Sequence, residues 1–134
     1  MVLLNASDPL PAPPAETIAT LNAMSNPAAI IGPDHRLVHV NPAYHSRFGF
    51  GERDVCGLPC YQVFRHRGEP CEGEENPCPV KEALQTGRPF KVEHKYFMAD
   101  GREVTLQVEG TPLRDEEGNV TRILKIIELP PRKE

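Results

Sequence analysis

Three consecutive runs toward the end of the chain, Phe90–Met98, Glu103–Leu113 and Val120–Leu129, are each long enough for a strand and are separated only by short turn strings. The strings are Asp100-Gly101 and Glu116-Glu117-Gly118-Asn119. Asp, Asn and Gly are the residues that accept the tight, left-handed backbone of hairpin turns, so this region predicts an antiparallel three-strand meander. In the middle run Val104, Leu106 and Val108 alternate with Thr105, Gln107 and Glu109, which buries one face and leaves the other wetter. The last run is different. Ile123 and Ile127 fall on one face and Leu124 and Ile126 on the other, so this strand should be covered on both sides.

The upstream sequence supplies the cover. Ile18, Leu21 and Met24 recur at helical spacing over Ala15–Ser25, and Asn26-Pro27 stops that helix. Ala28–Ile31 and Leu37–Val40 flank the turn Gly32-Pro33-Asp34-His35 and read as a hairpin. Asn41-Pro42 sets a capping residue before a first-turn proline, so a helix should run from Pro42 to about Phe48. From Glu52 to Gly87 short helical pieces are broken by glycine and proline, and the clear one is Pro79–Thr86, ended by Gly87. Two strands, a helical middle and a meander make an α+β domain: one five-stranded antiparallel sheet with short helices packed on one face.

A chain of 134 residues suits one domain, since domains usually run to roughly 100–200 residues. Six of its 15 prolines, Pro9, Pro11, Pro13, Pro14, Pro130 and Pro131, stand near the ends. Residues 1–14 therefore read as a disordered linker, 15–129 as the folded domain and 130–134 as a C-terminal linker. The net charge of -4, with neither sign forming a long run, gives a nucleic-acid or anionic-membrane partner no electrostatic support. The N-terminus has no basic residue and only a short apolar run, and no stretch approaches the roughly 20 apolar residues of a membrane span, so a cytoplasmic location is expected.

The order of elements and several strings resemble the PAS domain family of signalling sensors. The strings are Leu21-Asn22-Ala23-Met24 before an apolar strand, Leu37 to Ala43 leading into Phe48-Gly49-Phe50, and the run from Asp100-Gly101 through Thr111-Pro112-Leu113-Arg114-Asp115 to Gly118-Asn119-Val120. The resemblance implies the PAS fold, with its sheet cupping a pocket under the short helices. It also implies a sensor of a small ligand or redox state, acting as a homodimer and relaying to a histidine kinase, a diguanylate cyclase or a transcription-factor output domain. Together with the strand alternation it places Phe64, Leu84, Tyr96, Leu106 and Val108 along the pocket. Asn41 fills the family's asparagine position, where its own chemistry is that of a helix N-cap. The Asn-Cys-Arg-Phe-Leu-like string of flavin-binding members is missing, which argues against flavin photochemistry. A domain with an empty pocket, serving only dimerisation or interaction, is the alternative reading.

The four cysteines, Cys56, Cys60, Cys71 and Cys78, lie close together with the spacing C-x3-C-x10-C-x6-C. Thiolates gathered from two short loops suit zinc or an iron-sulfur cluster, and in a reducing compartment they also suit a thiol-disulfide switch. Packing of a loop poor in regular structure is the competing reading. Pro59 and Pro79 stand like first-turn prolines, which puts Cys60 just inside one helix and Cys78 at the N-cap of another, where the positive helix end favours a thiolate. Cys60-Tyr61, Arg67, Pro70-Cys71 and Cys78-Pro79, in that order, are similar to a cysteine-rich PAS subset of anaerobes. In oxygen-sensing PAS kinases two close cysteine pairs hold an iron-sulfur cluster; Cys71 and Cys78 are spaced more widely than those.

His94 alternates with Val92 and Tyr96 and so reads as a core histidine ahead of a metal or haem ligand, whereas His35, His39, His45 and His66 are assigned to solvent. Haem therefore ranks behind iron-sulfur and zinc as a cofactor. A cysteine-nucleophile enzyme would need a base and an orienting third group, and no spacing selects them; phosphate-binding, Gly-x-Ser-x-Gly, His-Glu-x-x-His and Cys-x-x-Cys strings are all missing. The chain is accordingly not expected to be an enzyme. The apolar face of helix Ala15–Ser25 and the outer face of the last strand together predict a dimer interface.

Overall fold

The computed structural model describes residues 13–49, 55–65, 78–98 and 100–128. Residues 1–12 and 130–134 of the expected linkers, His66, Arg67 and Cys71 lie outside the described residues, as does the side chain of Phe64. In chain order the elements are α1 (Ala15–Asn22), β1 (Ala28–Ile31), β2 (Leu37–Val40), α2 (Pro42–Phe48), α3 (Cys60–Arg65), α4 (Pro79–Thr86), β3 (Phe90–Phe97), β4 (Glu103–Arg114) and β5 (Val120–Glu128). The five strands form one antiparallel sheet in the order β2-β1-β5-β4-β3, so the last strand is the central one. No helix among the described residues is long and apolar enough to cross a membrane.

β5 inserts between β1 and β4, pairing Ile30 with Leu124 on one side and Val108 with Ile127 on the other. Its inner residues Ile123 and Ile127 join Ala29, Ile31, Tyr96, Leu106 and Val108 in the main core, against Tyr44 and Phe48 of α2, Val63 of α3 and Val80 and Ala83 of α4. Its outer residues Leu124 and Ile126 belong to a second cluster with Ala28, Ile30 and Leu21 of α1. The last strand is thus covered on both faces, as its sequence pattern requires.

That second cluster modifies the expected layering. Helices α2 to α4 lie on the inner face, but α1 covers the outer face of the same chain's sheet, with Ile18 and Met24 packed beside the buried Leu21. Part of the apolar surface that suggested a dimer is used within the chain, with Ile18, Met24, Leu124 and Ile126 partly buried, and Leu58, 36% exposed, is the exposed large hydrophobic residue among those described.

Strand β2 carries a bulge. Val40 pairs with Ala29, His39 with Ile30 and Leu37 with Ile31, which leaves Val38 as the extra residue. The bulge lets Leu37 and Val40, of opposite parity, both enter the main core. It also turns His39 onto the outer face, where it is only 8% exposed and its Nε2 lies 3.0 Å from Asn22 Oδ1 at the end of α1. The expectation that His39 is solvated is corrected: α1 roofs the position.

Asn41 holds these layers together. Its Oδ1 accepts from Tyr44 N–H at 3.1 Å as the N-cap of α2, and also from Ala28 N–H at 3.0 Å where β1 begins. Its Nδ2 donates to Leu21 O of α1 at 2.8 Å and to Asn26 O at 3.0 Å. Four backbone groups from four segments thus depend on one side chain that is 1% exposed. Gly110, on the inner face opposite Lys125, gives α4 its seat, since a Cβ there would come within 2.7 Å of Pro79 O.

Two substitutions test this framework. Asn41→Ala orphans buried backbone groups and is expected to cost about 3–5 kcal/mol, lowering Tm by on the order of 10 °C or more in thermal unfolding followed by circular dichroism. Asn41→Ser, which restores only the helix cap, should recover about 1 kcal/mol of that loss. Gly110→Ala should cost about 1–3 kcal/mol by forcing α4 off the sheet.

Candidate functional site

The turn from Gly32 to Arg36 places His35 in the left-handed region at φ 70°, with His35 N–H donating to Gly32 O at 3.0 Å and Arg36 N–H to Asp34 Oδ1 at 3.1 Å. The segment before α3 is laced to this turn. Cys60 N–H donates to His35 O at 2.7 Å, Leu37 N–H to Leu58 O at 2.9 Å, and Gly57 N–H to Leu37 O at 2.8 Å. From the other side α4 begins with Cys78 as N-cap and Pro79 in its first turn. Cys78 Sγ accepts from Lys81 N–H at 3.4 Å and lies 3.9 Å from His35 Nδ1. Three separate segments therefore meet at a cysteine–histidine pair.

Burial pulls the His35 pKa below its ordinary 6.5; the Asp34 carboxylate opposes this, and the ammonium groups of Lys125 and Lys81 reinforce it. Above that pH the imidazole is neutral, with one ring nitrogen a donor and the other an acceptor toward its neighbours.

Lys125 extends the arrangement inward. It stands on the central strand between Ile123 and Ile127, is 4% exposed, and sets its Nζ 5.2 Å from the centroid of the Tyr96 ring. Its neighbours across the sheet are Ala29 and Gly110, both small. Burying an ammonium costs several kcal/mol, and a desolvated cation–π contact offsets about 2 of these. The Tyr96 ring in turn packs 6.4 Å from that of the buried His94 and 5.9 Å from that of Phe48, which lies 5.3 Å from Tyr44. Burial pushes the Tyr44 hydroxyl well above the ordinary tyrosine pKa, with Tyr96, Cys60 and Cys56 adding to the shift. The inner side of the domain thus gathers an ammonium, two phenols, two imidazoles and two thiols against one apolar wall.

Of the pocket residues expected from the sequence, Tyr96, Leu106 and Val108 are buried together in the main core and Leu84 packs half-buried against it. Phe64 cannot be placed, its side chain being outside the described residues. The cysteines divide by role. Cys78 caps α4, Cys60 is buried in the main core, and Cys56 donates its thiol to Val38 O at 3.3 Å, satisfying the carbonyl of the bulge. Among the described residues no group of three or more His, Cys, Asp and Glu is arranged to hold a metal ion, and Cys71 lies outside them. A cleft of about 110 Å³ is lined by Asn26, Lys91, Gln107, Val108, Glu109, Ile126 and Glu128, so of the expected pocket residues it includes Val108.

Two members of the cluster escape sequence reasoning. Lys125 has a signal, because strict alternation through Ile123 and Ile127 places it on the buried face. The approach of His35 to Cys78 has none, since it joins turns 43 residues apart.

The lowered His35 pKa gives a pH dependence with a definite sign. The unfolded imidazole takes up a proton below about 6.5 while the folded one resists, so this contribution to stability is complete above pH 6.5 and is lost as pH falls below it. His35→Asn removes the titration and tolerates the left-handed backbone. In urea unfolding at pH 7.5 and 5.5 the wild type should lose more stability on acidification than His35→Asn; equal losses would contradict the assignment.

Residues 21–128 match the family model described as the PAS fold. No curated protein matches the sequence. Among solved structures, an RNA-binding Light-Oxygen-Voltage receptor is similar with a TM-score of 0.68 and 22% identity over 96% of this chain and 36% of that one. VqmA bound to DPO gives 0.61 and 18% over 86% of this chain and 56% of that one. The PAS domain of Bordetella pertussis BvgS gives 0.58 and 14% over 88% and 85%. This chain spans little more than a third of the first of these relatives and about half of the second. With the family model matched over most of its length, and the sheet order and helical cover described above, the chain belongs to the PAS fold family.

Proposed function

We propose that this PAS domain is a sensory module that registers a small ligand or a redox state in the interior between the sheet and α2–α4, and relays it to an output domain. The observation that carries the reading is the set of buried polar side chains on the inner face, Lys125, Tyr96, His94 and Tyr44, joined by Cys78 and Cys60. A core serving stability alone has little use for such groups, because each must be desolvated and matched with a partner. The named similar structures support the class: a Light-Oxygen-Voltage receptor, VqmA solved with DPO, and the BvgS PAS domain. A histidine kinase, a diguanylate cyclase or a transcription factor is the proposed output, with the domain acting as a homodimer in a reducing, cytoplasmic setting.

Redox sensing is favoured by one specific contact, the Cys78–His35 pair at the start of α4. A thiolate there is a better helix cap than a thiol, and oxidising it changes the hold on α4. The metal reading, in which Cys56, Cys60, Cys71 and Cys78 bind zinc or iron-sulfur as a unit, belongs to the same proposal, with the cysteine-rich PAS subset as its basis.

Anaerobic purification followed by metal analysis, an absorption spectrum and native mass spectrometry is the deciding experiment, with hydrogen exchange measured on reduced and oxidised protein. The expected result is either a stoichiometric bound species or a redox-dependent change in amide protection in α4 and β5. A species-free protein whose exchange is the same in both redox states would leave the domain as an interaction module.

A further inference from the structure

The cleft of about 110 Å³ lies against three neighbouring strands, and the sheet register orders the groups that line it. Lys91, Glu109 and Ile126 form one cross-strand row over β3, β4 and β5, and Gln107 and Glu128 belong to the next. Alternation turns these side chains away from the main core that holds Val108 and toward the other face, where Ile126 packs in the second cluster. Asn26 joins the lining from the turn between α1 and β1. Glu109 and Ile126 are half-buried, while Lys91, Gln107 and Glu128 are exposed.

Lys91 and Glu109 are direct cross-strand neighbours of opposite charge, an arrangement that ordinarily closes into an ion pair. Here it stays open: among the described residues the side chains of Lys91, Gln107, Glu109 and Glu128 form no ion pair and no hydrogen bond. One ammonium from β3 and two carboxylates from β4 and β5 thus line the same small space, with a carboxamide and an apolar side chain beside them. That space is well below the roughly 300–1,000 Å³ of sites for drug-sized ligands, so its occupant has only a few heavy atoms.

We propose that this cleft is a site for a small zwitterion of the α-amino acid class, its carboxylate against Lys91 Nζ, its ammonium against the Glu109 and Glu128 carboxylates, and its short side chain on Ile126. The site is distinct from the interior of the sensory reading and does not depend on it. A simple acid would satisfy Lys91 but meet two carboxylates of its own sign, and a simple amine would satisfy the carboxylates but meet Lys91. A molecule carrying both charges on one carbon complements all three. Each contact is charge-assisted but lies near water, so binding falls in the millimolar range. Occupancy would also brace Asn26, whose carbonyl accepts from Asn41 Nδ2 at 3.0 Å, and with it the junction of α1 and β1.

The test titrates the full chain with glycine and L-alanine, followed by amide proton–nitrogen correlation spectra at constant pH and ionic strength. N-acetylalanine, which lacks the ammonium, and alaninamide, which lacks the carboxylate, are the matched probes. The amino acids should shift the amides of Lys91, Gln107, Glu109, Ile126 and Glu128 saturably, with each half-blocked probe about fivefold weaker. In variants shown to be folded by circular dichroism, Lys91→Met should bind alanine about fivefold more weakly and cease to distinguish it from alaninamide. Glu109→Gln should likewise cease to distinguish alanine from N-acetylalanine. Amino acids that give no saturable shift, or shift amides away from the cleft, would overturn the site. Alaninamide or N-acetylalanine binding as tightly as alanine would overturn the zwitterion in favour of a simple amine or acid. The comparison of probes on the wild type decides the matter even where a variant does not fold, and none of these outcomes bears on the interior, whose test reads bound species and redox state.

Discussion

The insertion of β5 between β1 and β4 is the constraint from which the remaining architecture follows. The first strand of the domain cannot pair with its central neighbour until the last has been made, so the sheet closes by a contact spanning nearly the whole domain. Such non-local pairing is entropically expensive and is recovered only when both faces of the strand are covered. Here they are: Ile123 and Ile127 enter the main core while Leu124 and Ile126 enter the layer under α1. A single strand thereby has contact with every layer of the described structure, which fits the proposed sensory role.

Asn41 performs the matching task for the N-terminal half. The hairpin β1–β2, α1 and α2 meet at one buried amide whose two donor and two acceptor contacts are all used. An ordinary helix cap contributes about 1 kcal/mol and concerns one helix. Asn41 adds three further segments to that role, so the position fixes tertiary structure as much as it ends a helix.

Most of the fold was legible because it is encoded locally. The hairpin, the helices at Pro42 and Pro79 and the meander announce themselves by turn residues, first-turn prolines and alternation, and their ends agree with the sequence reading to within one or two residues. What stayed hidden depends on partners distant in sequence. The bulge at Val38 reverses the parity of β2, so His39 faces α1 instead of solvent. The layer formed by α1 follows from which surface the helix finds, and nothing in Ile18, Leu21 and Met24 says whether that surface lies in the same chain. The candidate cluster was half legible: Tyr96 and His94 by alternation and Cys78 as a cap, with Lys125 implied by the same alternation. The Cys78–His35 approach is a product of the assembled fold.

The cluster and the framework share one mechanical element, helix α4. At its start Cys78 caps it beside His35, and the Pro79 carbonyl rests on Gly110, the residue of β4 directly opposite Lys125. At its end Arg114 of β4 donates to Gly87 O at 2.7 Å and to Gly118 O at 2.8 Å, tying the helix to the β4–β5 turn. A change in charge or size at Cys78 or Lys125 therefore cannot be absorbed by α4 alone, because the helix is held at both ends by the strand that neighbours β5. Close-packed contacts of this kind transmit small displacements, where a side chain in a yielding environment would dissipate them. Chemistry at the inner face is thus mechanically linked to the central strand, and through Leu124 and Ile126 to the α1 layer on the outside.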